Sequence, residues 1–190
     1  MPKTSVRSPL RQYPLERAFT FVEAGPVLLV ATARGRVRNV MTVSCHASMG
    51  FEPTIGIMLG QWNYSYEMLA RSGECVVGIP TADMMEAVVD IGNCSGRDVD
   101  KFGKFGLTAG KSARVRAPLI RECLYNLECV VVEKPRPGGR ELFVLQGVKA
   151  WHNPKCKDKR TFHARGDGTF VIDGESVDLR ERMTKWQSCI

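Results

Sequence analysis

The chain has 190 residues, a formal net charge of +7 at pH 7, and 44% hydrophobic against 25% charged residues. This length and composition are typical of one globular domain, so we expect a single domain over residues 1–190. No apolar run approaches the roughly 20 residues that a membrane-spanning helix needs, so we do not expect a membrane protein. No export signal is visible at the N-terminus.

The positive charge and the cysteines are both spread along the sequence. The 27 Lys and Arg residues are scattered, with the densest cluster at 155–160, which favours a solvated basic surface over a nucleic-acid interface. The seven cysteines are an odd number and form no C-x-x-C motif, so we expect reduced thiols in a cytoplasmic protein. They are Cys45, Cys75, Cys94, Cys123, Cys129, Cys156 and Cys189.

The first 60 residues predict one helix and three strands. Apolar residues recur at helical spacing between Pro14 and Gly25, which predicts an amphipathic helix over 14–25. Two β-branched runs on either side of an Arg-Gly turn predict a hairpin over 27–45, and an apolar run predicts a third strand over 54–60. The helical stripe consists of Leu15, Ala18, Phe19 and Val22.

The middle of the chain predicts two helices separated by a strand. A short helix is expected over 66–71, and an apolar strand follows over 75–80. A second helix is expected to have Thr81 as its N-cap and to end before Gly92. Residues 93–110 are rich in glycine and alternating charge, which predicts a loop with one helical turn.

Two long β-type runs and a shorter one follow. The runs at 124–133 and 141–150 flank a Pro-Gly-Gly turn and predict a hairpin, and residues 169–173 predict a short strand. Strands outnumber helices and come as hairpins, whereas a parallel sheet would need a helix between its strands. The pattern therefore predicts a mainly β fold, a small antiparallel barrel with accessory helices.

The sequence contains no familiar motif for metal binding or nucleophilic catalysis. It has neither a GxGxxG nor a Walker-type phosphate loop, and neither an HExxH nor a GxSxG pattern. The three histidines lie far apart, and His46, at the end of a strand, is predicted to be a partnered structural residue. We therefore predict no metal site and no catalytic side chain.

The segment LGQWNYSYEML, residues 59–69, places polar and aromatic groups between a strand and a helix. Ser65 precedes the predicted helical turn, where its hydroxyl can cap the helix and where free N–H groups also favour an anion. Capping alone is the commoner role. The neighbouring amides and rings favour a ligand with both a phosphate and a flat ring, such as a nucleotide-like cofactor. These neighbours are Gln61, Trp62, Asn63 and Tyr64.

A second segment, NVMTVSCHAS at 39–48, begins as an alternating strand and ends in small polar residues. One interpretation is a polar outer face of a sheet. The other is that hydroxyl groups share one face and small side chains allow a flat ring to lie against the backbone.

Four blocks together resemble the flavin reductase-like FMN-binding split barrels, and among them the flavoredoxin-like group. The blocks are NVMTVSCHASMGFEP, NYSYEMLARSGECVVGIP, GNCSGRDVDKFGKFGLT and RGDGTFVIDGE, and the resemblance covers roughly residues 14–185. It implies a six-stranded antiparallel Greek-key barrel that forms a homodimer and holds one FMN per subunit near the dimer interface.

The resemblance also assigns residues to the cofactor. It places the isoalloxazine ring against four consecutive residues, Thr42, Val43, Ser44 and Cys45. It places the phosphate at the helix start, with Asn63 and Ser65. It also implies that a loop with Ser95, Gly96 and the positively charged Lys101 closes over the phosphate or ribityl chain.

Two positions depart from common relatives. Many of them carry an aromatic residue where Cys45 stands, so the flavin edge is expected to be more open here. Others carry His or Arg where Asn63 stands, so charge neutralisation is expected to depend more on Lys101 and the helix dipole.

The function expected from the resemblance is an FMN-dependent oxidoreductase that moves electrons from NAD(P)H or a protein donor to an acceptor. Its flavin needs little acid–base assistance from side chains, which fits a chain without a catalytic motif. The alternative is a non-enzymatic FMN electron carrier between redox proteins. A nucleic-acid binder is a third hypothesis, but the aromatic residues at 62–66 lie among few positive charges, so no nucleic-acid binding is expected.

Overall fold

The computed structural model describes residues 10–185 of the chain. Within this range, no helix is long and apolar enough to cross a lipid bilayer. Cys189 lies outside the described residues. So do residues 1–9, which are part of the segment in which no export signal was found.

The described residues form mainly β structure. The strands are β1 (Arg11–Tyr13), β2 (Leu28–Arg34), β3 (Val37–Val43), β4 (His46–Ser48), β5 (Thr54–Met58), β6 (Glu74–Ile79), β7 (Ala109–Gly110), β8 (Leu119–Ile120), β9 (Tyr125–Glu133), β10 (Leu142–His152), β11 (Phe162–Ala164) and β12 (Phe170–Ile172). The helices are α1 (Thr20–Glu23), α2 (Tyr64–Ser72), α3 (Met85–Gly92) and α4 (Lys101–Lys104). Single 3-10 turns lie at Leu15–Arg17, Ala82–Met84, Pro137–Gly139 and Arg180–Arg182.

One antiparallel sheet organises the chain. Its order is β3-β2-β6-β9-β10-β5-β4, and β1 pairs with the far end of β10. The six strands of five or more residues are β2, β3, β5, β6, β9 and β10, and β1 and β4 are three-residue additions at the rim. The sheet curls into a half-barrel, so β3 and the β4–β5 hairpin approach each other across a cleft.

Apolar side chains cover both faces of the curled sheet. Along β2, Leu28 and Val30 pack into one core cluster, whereas Leu29 and Ala31 pack into the other. Successive side chains of a strand point to opposite faces, so the stretch Leu28–Ala31 must be apolar at each position to be buried on both sides. This explains the continuous apolar run that the sequence shows there.

The predicted N-terminal helix over 14–25 is wrong in its extent. The chain forms a 3-10 turn at Leu15–Arg17 and a four-residue helix α1 that ends at Glu23, two residues before Gly25 with its φ of 75°. Phe21, outside the predicted apolar stripe, is buried and stacks on Tyr125 with ring centroids 4.6 Å apart. Tertiary packing on β9 therefore sets the backbone here, rather than one helical stripe.

The two predicted hairpins are confirmed. Strands β2 and β3 pair around a turn in which Gly35 has φ of 60°, and β9 pairs with β10. The loop over 93–110 contains the predicted helical turn as α4. The short strands β1, β4, β7, β8 and β11 were not predicted, because segments of two or three residues carry almost no periodic signal.

Candidate functional site

A cleft of about 730 Å³ opens between the end of β3, the start of α2, the loop after α3 and the turn before β10. This volume is within the range of roughly 300–1,000 Å³ typical of small-molecule sites. All nine residues that the sequence assigned to a cofactor line it: Thr42, Val43, Ser44, Cys45, Asn63, Ser65, Ser95, Gly96 and Lys101. They come from four separate segments that the fold brings together.

One wall is the end of β3 and the residues that follow. The hydroxyl of Thr42 donates to the carbonyl of Val88 in α3, so this hydroxyl already has a partner inside the protein. Val43 is the last paired residue of the strand, and Ser44 and Cys45 are exposed to the cleft. The wall therefore presents main-chain groups and two small polar side chains, and the Thr42 hydroxyl can still accept a hydrogen bond.

The cleft also contains a buried polar pair between β3 and α2, of which the sequence reasoning missed Asn39. Asn39, in the middle of β3, is 2% exposed, and its Nδ2 donates to Ser65 Oγ over 2.7 Å. Its Oδ1 is buried and has no hydrogen-bond partner among the described residues. A Cβ on Gly96 would lie 2.0 Å from this oxygen, so only glycine fits there. An amide within a predicted β-branched strand is the only sequence signal for Asn39, and its burial shows only in the structure.

Helix α2 begins two residues earlier than predicted. Asn63 is its N-cap residue and Ser65 is its second residue, so the predicted capping role of the Ser65 hydroxyl is wrong. Because α2 starts at Tyr64, the N–H groups of Tyr64 and Ser65 have no acceptor within the helix and lie at the positive end of its dipole. The start of α2 thus supplies hydrogen-bond donors to the cleft.

Lys101 supplies the buried positive charge of the cleft. It is 5% exposed, and its Nζ donates to the carbonyl of Ile91 near the end of α3 over 2.8 Å. Burial lowers the pKa of Lys101, and the nearby Cys94 thiol acts in the opposite direction. Among residues 10–185, no carboxylate forms an ion pair with this ammonium. Of its three N–H donors, one has a protein acceptor, and the others can serve an anion.

The far end of the cleft carries a buried carboxylate. Glu141, the residue before β10, is 6% exposed, and its Oε2 accepts from the Tyr66 hydroxyl over 2.6 Å and from Arg136 over 3.4 Å. The bond to Glu141 is the largest of the effects that raise the pKa of Tyr66. Because Leu142 pairs with Met58, this carboxylate lies beside the β5 end of the cleft and away from the Lys101 end.

His46 lies outside this cleft and behaves as predicted. Its Nε2 donates to the carbonyl of Pro26 over 2.6 Å, and burial lowers the pKa of the ring. Among residues 10–185, no three His, Cys, Asp or Glu side chains are placed to share a metal ion. The six described cysteines are free, and two of them, Cys45 and Cys94, line the cleft.

Comparison with known proteins identifies the family. The sequence pattern of the flavin reductase like domain matches residues 22–170. The chain belongs to the flavin reductase like domain family. This flavin reductase-like chain is 35% identical over 121 residues to an uncharacterized protein of Archaeoglobus fulgidus, a match that covers 63% of this chain and 68% of that protein.

Solved structures share the flavin reductase-like fold. An FMN-binding domain of a flavin reductases-like enzyme from Shewanella baltica superposes with a TM-score of 0.83 at 23% identity, over 92% of this chain and 99% of that one. Flavoredoxin of Desulfovibrio vulgaris superposes with a TM-score of 0.73 at 20% identity, over 94% and 96% of the two chains. The predicted mainly β, split-barrel fold class and the predicted family are confirmed.

Proposed function

We propose that this chain is an FMN-dependent oxidoreductase that takes electrons from NAD(P)H or a protein donor and passes them to an acceptor. The observation that carries the proposal is the polarity of the cleft. Donors and a buried ammonium gather at one end, small side chains and main-chain groups of residues 42–45 line a wall, and the Glu141 carboxylate lies at the far end. A ligand with an anionic tail and a flat, polar-edged head matches this arrangement, and the family and its structural relatives indicate FMN.

The tail end of the cleft fits a phosphate and its polyol chain. Within the described part of the chain, Lys101 offers an ammonium without a carboxylate partner, and the start of α2 offers the N–H groups of Tyr64 and Ser65. Asn39 also lies at this end, where its buried Oδ1 faces Gly96 and its Nδ2 donates to Ser65. Gly96 lets the loop approach Asn39 closely enough to close this end.

The head end fits a flat ring. Residues 42–45 present backbone edges and small side chains, against which an isoalloxazine can lie at van der Waals distance. Because Cys45 is exposed where an aromatic residue is common, one edge of the ring stays open to a second substrate. Trp62, which is 85% exposed at the same cleft, offers a further flat surface near that opening.

When bound, FMN supplies the redox chemistry, because its ring accepts and releases a hydride or single electrons. The chain's own residues bind and orient it. Lys101 and the α2 start hold the anionic tail, and residues 42–45 fix the plane of the ring. The hydroxyl of Thr42 holds β3 against α3 through Val88, which keeps that wall in place.

We also propose that the chain is a single domain and acts as a cytoplasmic homodimer. The free thiols of the described cysteines support a reducing compartment. Met49, Phe51 and Met58 leave 41–50% of their surface exposed around β4 and β5, which supports burial of this edge by a second copy. Light scattering on the purified protein would test the dimer.

Anaerobic stopped-flow mixing of the FMN-loaded protein with NADH or NADPH tests the proposed reaction. Rapid bleaching of the flavin absorption, with turnover when an acceptor is present, is expected. If both nucleotides leave the flavin oxidised while a chemical reductant bleaches it, the electron-carrier alternative replaces the enzyme.

A further inference from the structure

Three arginines from separate elements converge on one carboxylate. Glu67 Oε1 lies 3.8 Å from Arg34 Nη1 and 3.3 Å from Arg71 Nη2, and Glu67 Oε2 lies 3.2 Å from Arg97 Nη2. The three arginine side chains remain 57–58% exposed. One carboxylate neutralises one guanidinium, so this arginine cluster of Arg34, Arg71 and Arg97 keeps two positive charges.

The arginine cluster lies at the rim of the cleft. The guanidinium of Arg97 lies over the ring of Tyr64, 5.0 Å from its centroid, and Tyr64 lines the cleft. Arg97 also follows Gly96, which closes the tail end. Two more exposed arginines, Arg36 and Arg38, extend the positive surface along the β2–β3 hairpin.

Two acidic residues of the loop before α4, Asp98 and Asp100, form no ion pair with the arginine cluster within the described chain. The carboxylate of Asp100 accepts from the N–H of Phe102 and therefore faces α4. Asp98 is exposed and forms no ion pair with the cluster arginines within the described chain. The cluster therefore stays net positive at the rim of the cleft.

We propose that the arginine cluster binds a phosphate monoester on the second substrate, and that the protein therefore prefers NADPH to NADH. This inference rests on the proposed reductase function. A phosphate monoester carries about −1.5 to −2 charges at pH 7, which matches the two uncompensated charges of the cluster. Guanidinium groups bind phosphate through paired N–H donors. The phosphate therefore competes with the single carboxylate of Glu67 for the three arginines. NADH has a hydroxyl group where NADPH has its 2′-phosphate.

The test compares kcat/KM for NADPH and NADH in the wild type and in the single variants Arg34→Ala and Arg71→Ala. We expect the wild type to favour NADPH by about tenfold or more, and each variant to lose about five- to tenfold for NADPH with less than about twofold change for NADH. Arg160→Ala is the matched control, since Arg160 is an exposed arginine that pairs with Asp158 and does not line the cleft.

Calorimetric titration with 2′,5′-ADP, 5′-AMP and inorganic phosphate separates this site from the proposed reaction. Tighter binding of 2′,5′-ADP than of 5′-AMP, weakened in Arg71→Ala, supports the site even if neither dinucleotide reduces the flavin. Equal use of NADPH and NADH by the wild type overturns the inference. So does binding of inorganic phosphate as tight as that of 2′,5′-ADP, because the nucleotide would then not be recognised.

Discussion

Replacing Lys101 by Met separates the role of this residue in cofactor binding from its role in folding. Met has a similar length and keeps the apolar part of the side chain buried, but it removes the ammonium that lies in the cleft. Lys104→Met is the matched control, because Lys104 lies on the same helix, is exposed and does not line the cleft.

The expected loss of FMN affinity follows from the hydrogen bond that Lys101 Nζ would donate to the phosphate. A hydrogen bond between an ammonium and a phosphate contributes about 1.5–3 kcal/mol, and about 1.4 kcal/mol corresponds to a tenfold change in Kd. We therefore expect Lys101→Met to weaken FMN binding by about 10- to 100-fold. Lys104→Met should change it by less than about twofold.

The stability of the protein without FMN should change much less. The variant loses the bond from Nζ to the Ile91 carbonyl, which contributes about 1.5–3 kcal/mol, but it no longer has to bury a charge that lacks a carboxylate partner among the described residues. These two effects oppose each other. We expect the free energy of unfolding to change by no more than about 1 kcal/mol.

The pH dependence of stability gives a second readout of the same charge. Burial lowers the pKa of Lys101 below its ordinary value of 10.5, so in the window between the folded-state pKa and 10.5 the unfolded chain binds more protons. Stability from this group therefore rises with pH across that window, and the penalty of the buried charge is fully present below it. Lys101→Met should remove this rise, whereas Lys104→Met should keep it.

Quenching of FMN fluorescence on titration with protein measures the affinity, and urea unfolding measures the stability. Unchanged FMN affinity in a folded Lys101→Met protein would refute the assignment of the phosphate to this end of the cleft. A loss of more than about 3 kcal/mol in stability would show instead that Lys101 is primarily structural.

Three further predictions concern other parts of the cleft. Gly96→Ala should weaken FMN binding at least about tenfold, measured by the same titration, because its Cβ would meet Asn39 Oδ1; a fully retained affinity would contradict the close approach. Tyr66→Phe should lower the free energy of unfolding by about 1–3 kcal/mol in urea, because Glu141 loses a donor while buried, and an unchanged midpoint would argue against that bond. Alkylation of Cys45, followed by peptide mass spectrometry, should be slower with FMN present; equal rates would place the ligand elsewhere.

The parts of the fold that depend on long periodic segments were predictable from the sequence. Strands β2, β3, β9 and β10 are long and bounded by turn residues, and their pairing as hairpins follows from short connections. The break in the N-terminal helix was not predictable, since it depends on the stacking of Phe21 against Tyr125, about a hundred residues away.

The candidate site was also only partly predictable from local sequence. The resemblance of local sequence blocks pointed to nine residues, and the fold brings all nine to one cleft. Asn39 and Glu141 were missed because their importance depends on partners distant in sequence, Ser65 for the first and Tyr66 for the second. The bond from the Thr42 hydroxyl to Val88 was not predictable either, because it joins residues 46 positions apart.

A crystal structure of the protein with FMN tests the central claim most directly. We predict one FMN per chain, with its phosphate at Lys101 and the start of α2 and its ring against residues 42–45. A cleft that stays empty at saturating FMN, or an FMN with its phosphate beside Glu141, would contradict the account.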